Sequence, residues 1–184
     1  SVANILRFAS AAEVIKTGAI LDAELFALLE DELPALLRQD RDLMVRVVRR
    51  CCQLKALVVA EDETEGDYRA ILNFGHTLGH AIESLTEYTT FLHGEAVAIG
   101  MVAAVRVSHR LGLCDEETVA RVTRLVERCG LPVEIPSDLR PEALALAMRT
   151  DKKALGGTIK FVCLEAIGRT KFERLTCEDI VRYV

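Results

Sequence analysis

The chain has no tryptophan, and aromatic residues make up only 5% of its 184 positions. With 51% hydrophobic residues and so few rings, its core must be aliphatic, which suits packed helices. No apolar run can span a bilayer: the longest uncharged one, Ala96 to Val105, falls far short of the roughly 20 residues required. No secretory signal opens the chain. The six cysteines, at 51, 52, 114, 129, 163 and 177, contain no CxxC pair. This argues against a zinc finger and fits reduced thiols in a cytoplasmic protein. No basic patch stands out, because the net charge of -5 comes from interspersed acids and bases; a nucleic-acid partner is not expected. Nor does any GxGxxG motif follow a predicted strand, so the turn that cradles a dinucleotide is missing from these residues.

What remains is strongly helical. Residues 2 to 17 read as one helix, and Asp22 can cap a second from 23 to about 33, interrupted near Pro34. Asp40 can cap a third from 41 to 60, with Leu43, Val47, Cys51 and Leu54 on one stripe. The acidic, turn-prone "EDETEGD" separates it from a helix predicted over 68 to 86, and "TEYTTFLHG" reads as a loop. "EAVAIGMVAAVRVSHRLG" returns to helix and stops at Gly112; Asp115 starts another that ends at Cys129, with Gly130 beyond it. Pro132 and Pro136 mark a connector, and Pro141 suits a helical first turn. The period then changes. "TIKFVCLE" and "TKFERL" around "AIGR" predict a β-hairpin, and "TCED" a short capped final helix with Thr176 at the cap. The expected fold is mainly α: one multihelical domain over 1 to 184 with a small C-terminal β-hairpin.

The stretch "LNFGHTLGH" carries the chemistry. His76 and His80 lie four residues apart, on one helical face, and Gly75 and Gly79 form a bare strip beside them. Glycine costs a helix roughly 1 kcal/mol relative to alanine, so the strip needs a reason. Either something approaches the histidine face closely, or another helix packs there and the histidines are hydrogen-bonded in the core. HxxxH alone favours the second reading, and the zincin signature HExxH is excluded because Thr77 follows His76. His93, before "GEAVAIG", changes the balance, since two histidines and a carboxylate are a catalytic zinc ligand set. Neither Glu83 nor Glu95 stands out as the acid. Glu13 does, because the apolar context of "AAEVIK" makes an unpaired carboxylate expensive to bury; its plain alternative is a surface Glu paired with Lys16. His109 reads as an ordinary helix-end histidine. Lys16, Lys55, Arg69, Asn73 and the "DKK" of 151 to 153 are each ordinary surface groups alone, but with a metal they suit a small anionic substrate.

"AAEVIK", "RAILNFGHTLGHAIE", "LHGEAVAIGM" and "DKK…G…IKFVCLEAIG" occur in this order. Together they closely resemble the C-terminal half of the 3-dehydroquinate synthases, within the sugar-phosphate cyclase superfamily. The resemblance runs through nearly the whole chain; the family usually has a glycine just before the first motif, where this chain reads "ASAAEVIK".

The resemblance implies a metal, zinc or cobalt, on Glu13, His76 and His93; catalytic His80 and Glu65; and substrate contacts from Lys16, Lys55, Arg69, Asn73 and Lys152. It implies conversion of 3-deoxy-D-arabino-heptulosonate 7-phosphate to 3-dehydroquinate and phosphate, a carbon–oxygen lyase reaction of the shikimate pathway that uses NAD without net consumption. The implied partners are the sugar phosphate, an N-terminal nucleotide-binding half absent from these residues, and a second copy in a homodimer. Without that half the chain is expected to be inactive and to bind NAD poorly. The alternatives are a related cyclase such as 2-deoxy-scyllo-inosose synthase, or a non-catalytic metal-binding domain.

Overall fold

The computed structural model describes residues 2–62, 68–151 and 157–184, with side chains over 11–62, 68–150 and 157–184. The expected architecture is present: a multihelical domain with a two-stranded antiparallel hairpin near the C-terminus. The chain runs α1 (Val2–Leu21), α2 (Ala23–Leu37), α3 (Arg41–Glu61), a 3₁₀ segment (Tyr68–Asn73), α4 (His76–Leu85), α5 (His93–Arg110), α6 (Glu116–Arg128) and α7 (Pro141–Asp151). It closes with β1 (Ile159–Ala166), β2 (Arg169–Leu175) and α8 (Cys177–Tyr183). No described helix is long and apolar enough to cross a membrane, and all six cysteines are free thiols.

Helix starts follow the caps that the sequence announces. Asp22 Oδ1 accepts from the backbone N–H groups of Glu24 and Leu25, Asp40 from Leu43, and Asp115 from Thr118. Thr176 accepts from the Asp179 N–H and opens α8. Pro34 does not interrupt α2, contrary to the sequence expectation. Proline cannot donate to the carbonyl four residues back, but that carbonyl, Glu30 O, is satisfied by Arg128 Nη1 at 2.9 Å. A tertiary donor replaces the missing helical one.

α5 is the axis of the domain. It is buried along almost its whole length, from Gly94 to Ser108, and touches α1, α4, α6 and β1. The hairpin lies against it. Ser108 Oγ accepts from the Leu164 N–H at 3.0 Å and donates to the Ala104 carbonyl at 2.7 Å, tying β1 to α5 in the buried core. Strand pairing runs from Ile159 opposite Leu175 to Leu164 opposite Thr170, with an irregularity before Ala166 and Arg169. At the turn, the Gly168 N–H donates to the Ala19 carbonyl at 2.8 Å and docks the hairpin on α1.

The histidine helix begins later than its periodicity predicts. Residues 68 to 73 form the 3₁₀ segment, and Gly75, at φ +79°, caps α4 in the left-handed region. The glycine strip faces α5. A Cβ at Gly75 would lie 2.7 Å from Met101 N, one at Gly79 3.1 Å from Ala96 O, and one at Gly100 only 1.9 Å from Gly75 O. Close helix packing is therefore what these glycines serve, and it sets α4 and α5 backbone to backbone.

Candidate metal and substrate site

That crossing brings three histidines together. His76 opens α4, His80 follows one turn along, and His93 opens α5. Ring centroids are 5.3 Å apart for His76 and His80, 5.4 Å for His76 and His93, and 6.0 Å for His80 and His93. Glu13 reaches the group from α1, with Oε1 4.0 Å from His76 Nε2. Around them is a cavity of about 540 Å³ lined by Glu13, Lys16, Lys55, Arg69, Ala70, Leu72, Asn73, His76 and His93. Seven residues singled out in the sequence thus share one cavity, delivered by α1, α3, the 3₁₀ segment, α4 and α5. His80 borders a neighbouring cavity of about 470 Å³ with Ser84, Tyr88 and Thr150. Glu65 and Lys152 lie outside the described residues.

The electrostatics are sharply set. Glu13 Oε1 accepts from Lys16 Nζ at 2.6 Å, and Oε2 from Lys55 Nζ at 2.7 Å. Burial pushes the Glu13 carboxyl up, but the two ammonium groups more than offset it and hold the pKa at about 2. The Lys16 ammonium, almost wholly buried, is pulled down by burial against the opposing pull of Glu13. For His76, burial and then the Lys16 cation lower the pKa to about 4, so the ring is neutral at pH 7. Its Nδ1 lies 3.3 Å from the Phe74 carbonyl. A carbonyl can only accept, so Nδ1 carries the hydrogen and Nε2 keeps a lone pair on the Glu13 side.

His93 is held the same way by a different acceptor. Its Nδ1 lies 3.1 and 3.2 Å from the two carboxylate oxygens of buried Glu83. Sequence reasoning passed over Glu83, although the burial argument applied to Glu13 covers it equally. It stands three residues after His80 and seven after His76, on the histidine face and next to Ile82. Glu95 is otherwise engaged, accepting the Leu92 N–H at 2.8 Å at the start of α5.

Two donor sets compete for a cation. Glu13, His76 and His93 supply one carboxylate and two imidazoles around the cavity; donors about 2 Å from a common ion lie roughly 3 to 4 Å apart, and the Glu13–His76 pair, at 4.0 Å, stands at the upper edge of that range. Among the described residues, His80, Glu83 and His93 also offer ligand atoms within 4.8 Å of one another. The cavity distinguishes the sets. Glu13 lines it, and its two lysines leave about two of a carboxylate's four lone-pair sites, whereas Glu83 is buried and does not line it. The first set has the donor chemistry of a catalytic divalent metal site, one carboxylate and two imidazoles.

Known proteins resemble this chain along most of its length. Residues 10–154 match the family model described as 3-dehydroquinate synthase C-terminal. The 3-dehydroquinate synthase of Pelobacter propionicus is 49% identical over 173 residues, covering 94% of this chain and 48% of that protein. That of Citrifermentans bemidjiense is 48% identical over 164 residues, covering 89% and 45%. The chain thus spans about half the length of these relatives. Among solved structures, 2-epi-5-epi-valiolone synthase from Streptomyces hygroscopicus, with NAD+ and Zn2+ bound, superposes with a TM-score of 0.85 at 27% identity over 96% of this chain and 49% of that one. A 2-deoxy-scyllo-inosose synthase complexed with carbaglucose-6-phosphate, NAD+ and Co2+ gives 0.78 at 25% identity, covering 97% and 51%.

Proposed function

The chain belongs to the 3-dehydroquinate synthase C-terminal family, and from that premise we propose that it is the metal- and substrate-binding half of a 3-dehydroquinate synthase. The reaction is conversion of 3-deoxy-D-arabino-heptulosonate 7-phosphate to 3-dehydroquinate and phosphate, in the shikimate pathway, and the setting is the cytoplasm. A nucleotide-binding half supplies the NAD site, in keeping with relatives of twice this length. The full enzyme is a homodimer. The observation that carries the reading is the single cavity on which Glu13, Lys16, Lys55, Arg69, Asn73, His76 and His93 converge.

Glu13, His76 and His93 hold the metal, zinc or cobalt. When bound, the ion supplies Lewis acidity and a template for vicinal hydroxyls, while NAD supplies the hydride acceptor and donor. The protein's own part is positioning and proton transfer. Neutral His76 presents a lone pair because burial and Lys16 keep a proton off it. Lys16, Lys55 and Arg69 set three cationic side chains against one carboxylate around the cavity, which suits a substrate with a carboxylate at one end and a phosphate at the other. Asn73 adds an amide to the same wall, and Lys152, outside the described residues, is a further proposed substrate contact. Holding both substrate ends fixed lowers the entropic cost of lining up the reacting bonds. His80, beside the ligand pair, and Glu65 move protons to and from the substrate hydroxyls.

A second reading has one observation in its favour: a solved neighbour, a 2-deoxy-scyllo-inosose synthase, is complexed with a different phosphorylated compound, carbaglucose-6-phosphate. Substrate choice separates the two. The chain, supplied with a nucleotide-binding half, NAD and zinc or cobalt, should release phosphate from 3-deoxy-D-arabino-heptulosonate 7-phosphate in preference to glucose 6-phosphate. Preference for the latter would move the protein to the related cyclases. Failure of both substrates in a well-folded reconstituted enzyme would leave a metal-binding domain without this chemistry.

A further inference from the structure

We propose that Glu83 is the positioning residue of the metal centre, a buried carboxylate that fixes the His93 ring and leaves its Nε2 lone pair for the ion. The inference rests on the reading of His93 as a ligand. His93 needs such a partner because it is the first residue of α5 and its side chain is 50% exposed. Packing alone does not hold a half-exposed imidazole in one orientation. Glu83, by contrast, is 6% exposed on α4. A buried carboxylate requires a donor, and both of its oxygens lie within 3.2 Å of the same His93 nitrogen.

The consequences follow from donor and acceptor inventories. An ionised carboxylate only accepts, so Nδ1 must carry the hydrogen. A nitrogen bearing hydrogen cannot also ligate, which leaves Nε2 as the basic atom of a ring that borders the cavity. The opposite tautomer would set a ring lone pair against four carboxylate lone pairs. The separation is also mechanically fixed. Glu83 and His93 stand on helices brought close together at Gly75, Gly79 and Gly100, where an added Cβ would lie 1.9 to 3.1 Å from backbone atoms across the seam. A carboxylate behind a ligating imidazole both orients the ring and raises its basicity, and removing such a partner typically weakens metal binding 10- to 100-fold.

Zinc titration of the chain against a competing chelator tests this, with Glu83→Gln, His93→Ala and His80→Ala alongside the wild type. Glutamine keeps the shape of Glu83 and removes its charge. We expect Glu83→Gln to raise the zinc Kd about 10- to 100-fold, His93→Ala to raise it further, and His80→Ala to leave it near wild type. A long-range proton–nitrogen correlation spectrum of the metal-free wild-type chain should show His93 with hydrogen on Nδ1, and Glu83→Gln should mix the tautomers. That spectrum needs no metal and no variant, so it decides even if Glu83→Gln fails to fold. Wild-type zinc affinity in folded Glu83→Gln, or hydrogen on Nε2 of His93 in the wild type, overturns the proposal alone. Equal and complete loss in Glu83→Gln, His80→Ala and His93→Ala overturns it by making all three ligands. A folded wild-type chain that binds no zinc overturns the metal reading itself, and this proposal with it.

Discussion

Replacing Gly100 by alanine should loosen the whole site without touching a functional side chain. The added Cβ would sit 1.9 Å from the Gly75 carbonyl oxygen, 2.9 Å from its carbon and 3.0 Å from Gly79 N. Ordinary heavy-atom contacts lie near 3.5 Å, so α4 and α5 must part by roughly 1 to 1.5 Å. The obstacle is backbone, which cannot swing aside as a flexible side chain would. Overpacking of this kind costs about 1–3 kcal/mol, occasionally more. Separation also thins the contacts of Phe74, Leu78, Ala96, Val97 and Met101, all buried at this seam, and a gap of 0.5–1 Å forfeits a quarter to a half of each contact. Alanine's better helix propensity returns roughly 1 kcal/mol. We expect a net loss of about 2–4 kcal/mol, and with about 2–4 °C per kcal/mol for a domain of this size, a Tm lower by roughly 5–15 °C. Because His76 and His93 stand on opposite sides of the seam, zinc affinity should fall at least about tenfold in the fraction that stays folded. Gly112→Ala is the control: its φ is +72° but nothing lies within 4 Å of the added carbon, so it pays only left-handed strain of about 1–2 kcal/mol. Thermal unfolding by circular dichroism and a zinc titration read both effects. A Gly100→Ala chain with wild-type Tm and zinc affinity would refute the claim that bare backbone contact positions the histidines.

Acid should destabilise the metal-free chain in two stages. The His76 pKa is about 4 in the fold against an ordinary 6.5, so its contribution is present above pH 6.5 and is lost as pH falls toward 4; Glu13, at about 2 against 4.5, adds a second loss below pH 4.5. Denaturant unfolding across pH should show the first slope diminish in His76→Gln; an unchanged slope would remove His76 as its source. Ser108→Ala strands the buried Leu164 N–H and should cost about 1–3 kcal/mol by chemical denaturation, whereas a neutral result would mean that β1 does not depend on that link. Asp22→Ala removes an acceptor for two backbone N–H groups and the partner of Arg50 and should cost about 1–2 kcal/mol, with Asp22→Asn recovering most of it; equal losses would place the effect on the ion pair instead.

Much of this fold was legible because local chemistry and tertiary structure agree. Asp22, Asp40, Asp115 and Thr176 cap helices at the predicted places, and the β-branched and aromatic segments around "AIGR" became the hairpin. Two departures had causes that local patterns do not carry. Pro34 was tolerated because Arg128, distant in sequence, serves the orphaned carbonyl. The histidine helix began at His76 because Gly75 must adopt positive φ against Met101. The site was legible where residue chemistry was unusual for its surroundings, as with Glu13 in an apolar stretch. Glu83 escaped because its role depends on which helix α4 packs against, and the Gly75–Gly100 contact is what selects α5.

The most direct test of the account is a crystal structure of the zinc-loaded chain. It should place a carboxylate oxygen of Glu13 and ring nitrogens of His76 and His93 roughly 2 Å from the ion, with Glu83 behind His93 and His80 alongside without coordinating. A zinc ion seated instead on His80, Glu83 and His93, with Glu13 still shared between Lys16 and Lys55, would contradict it.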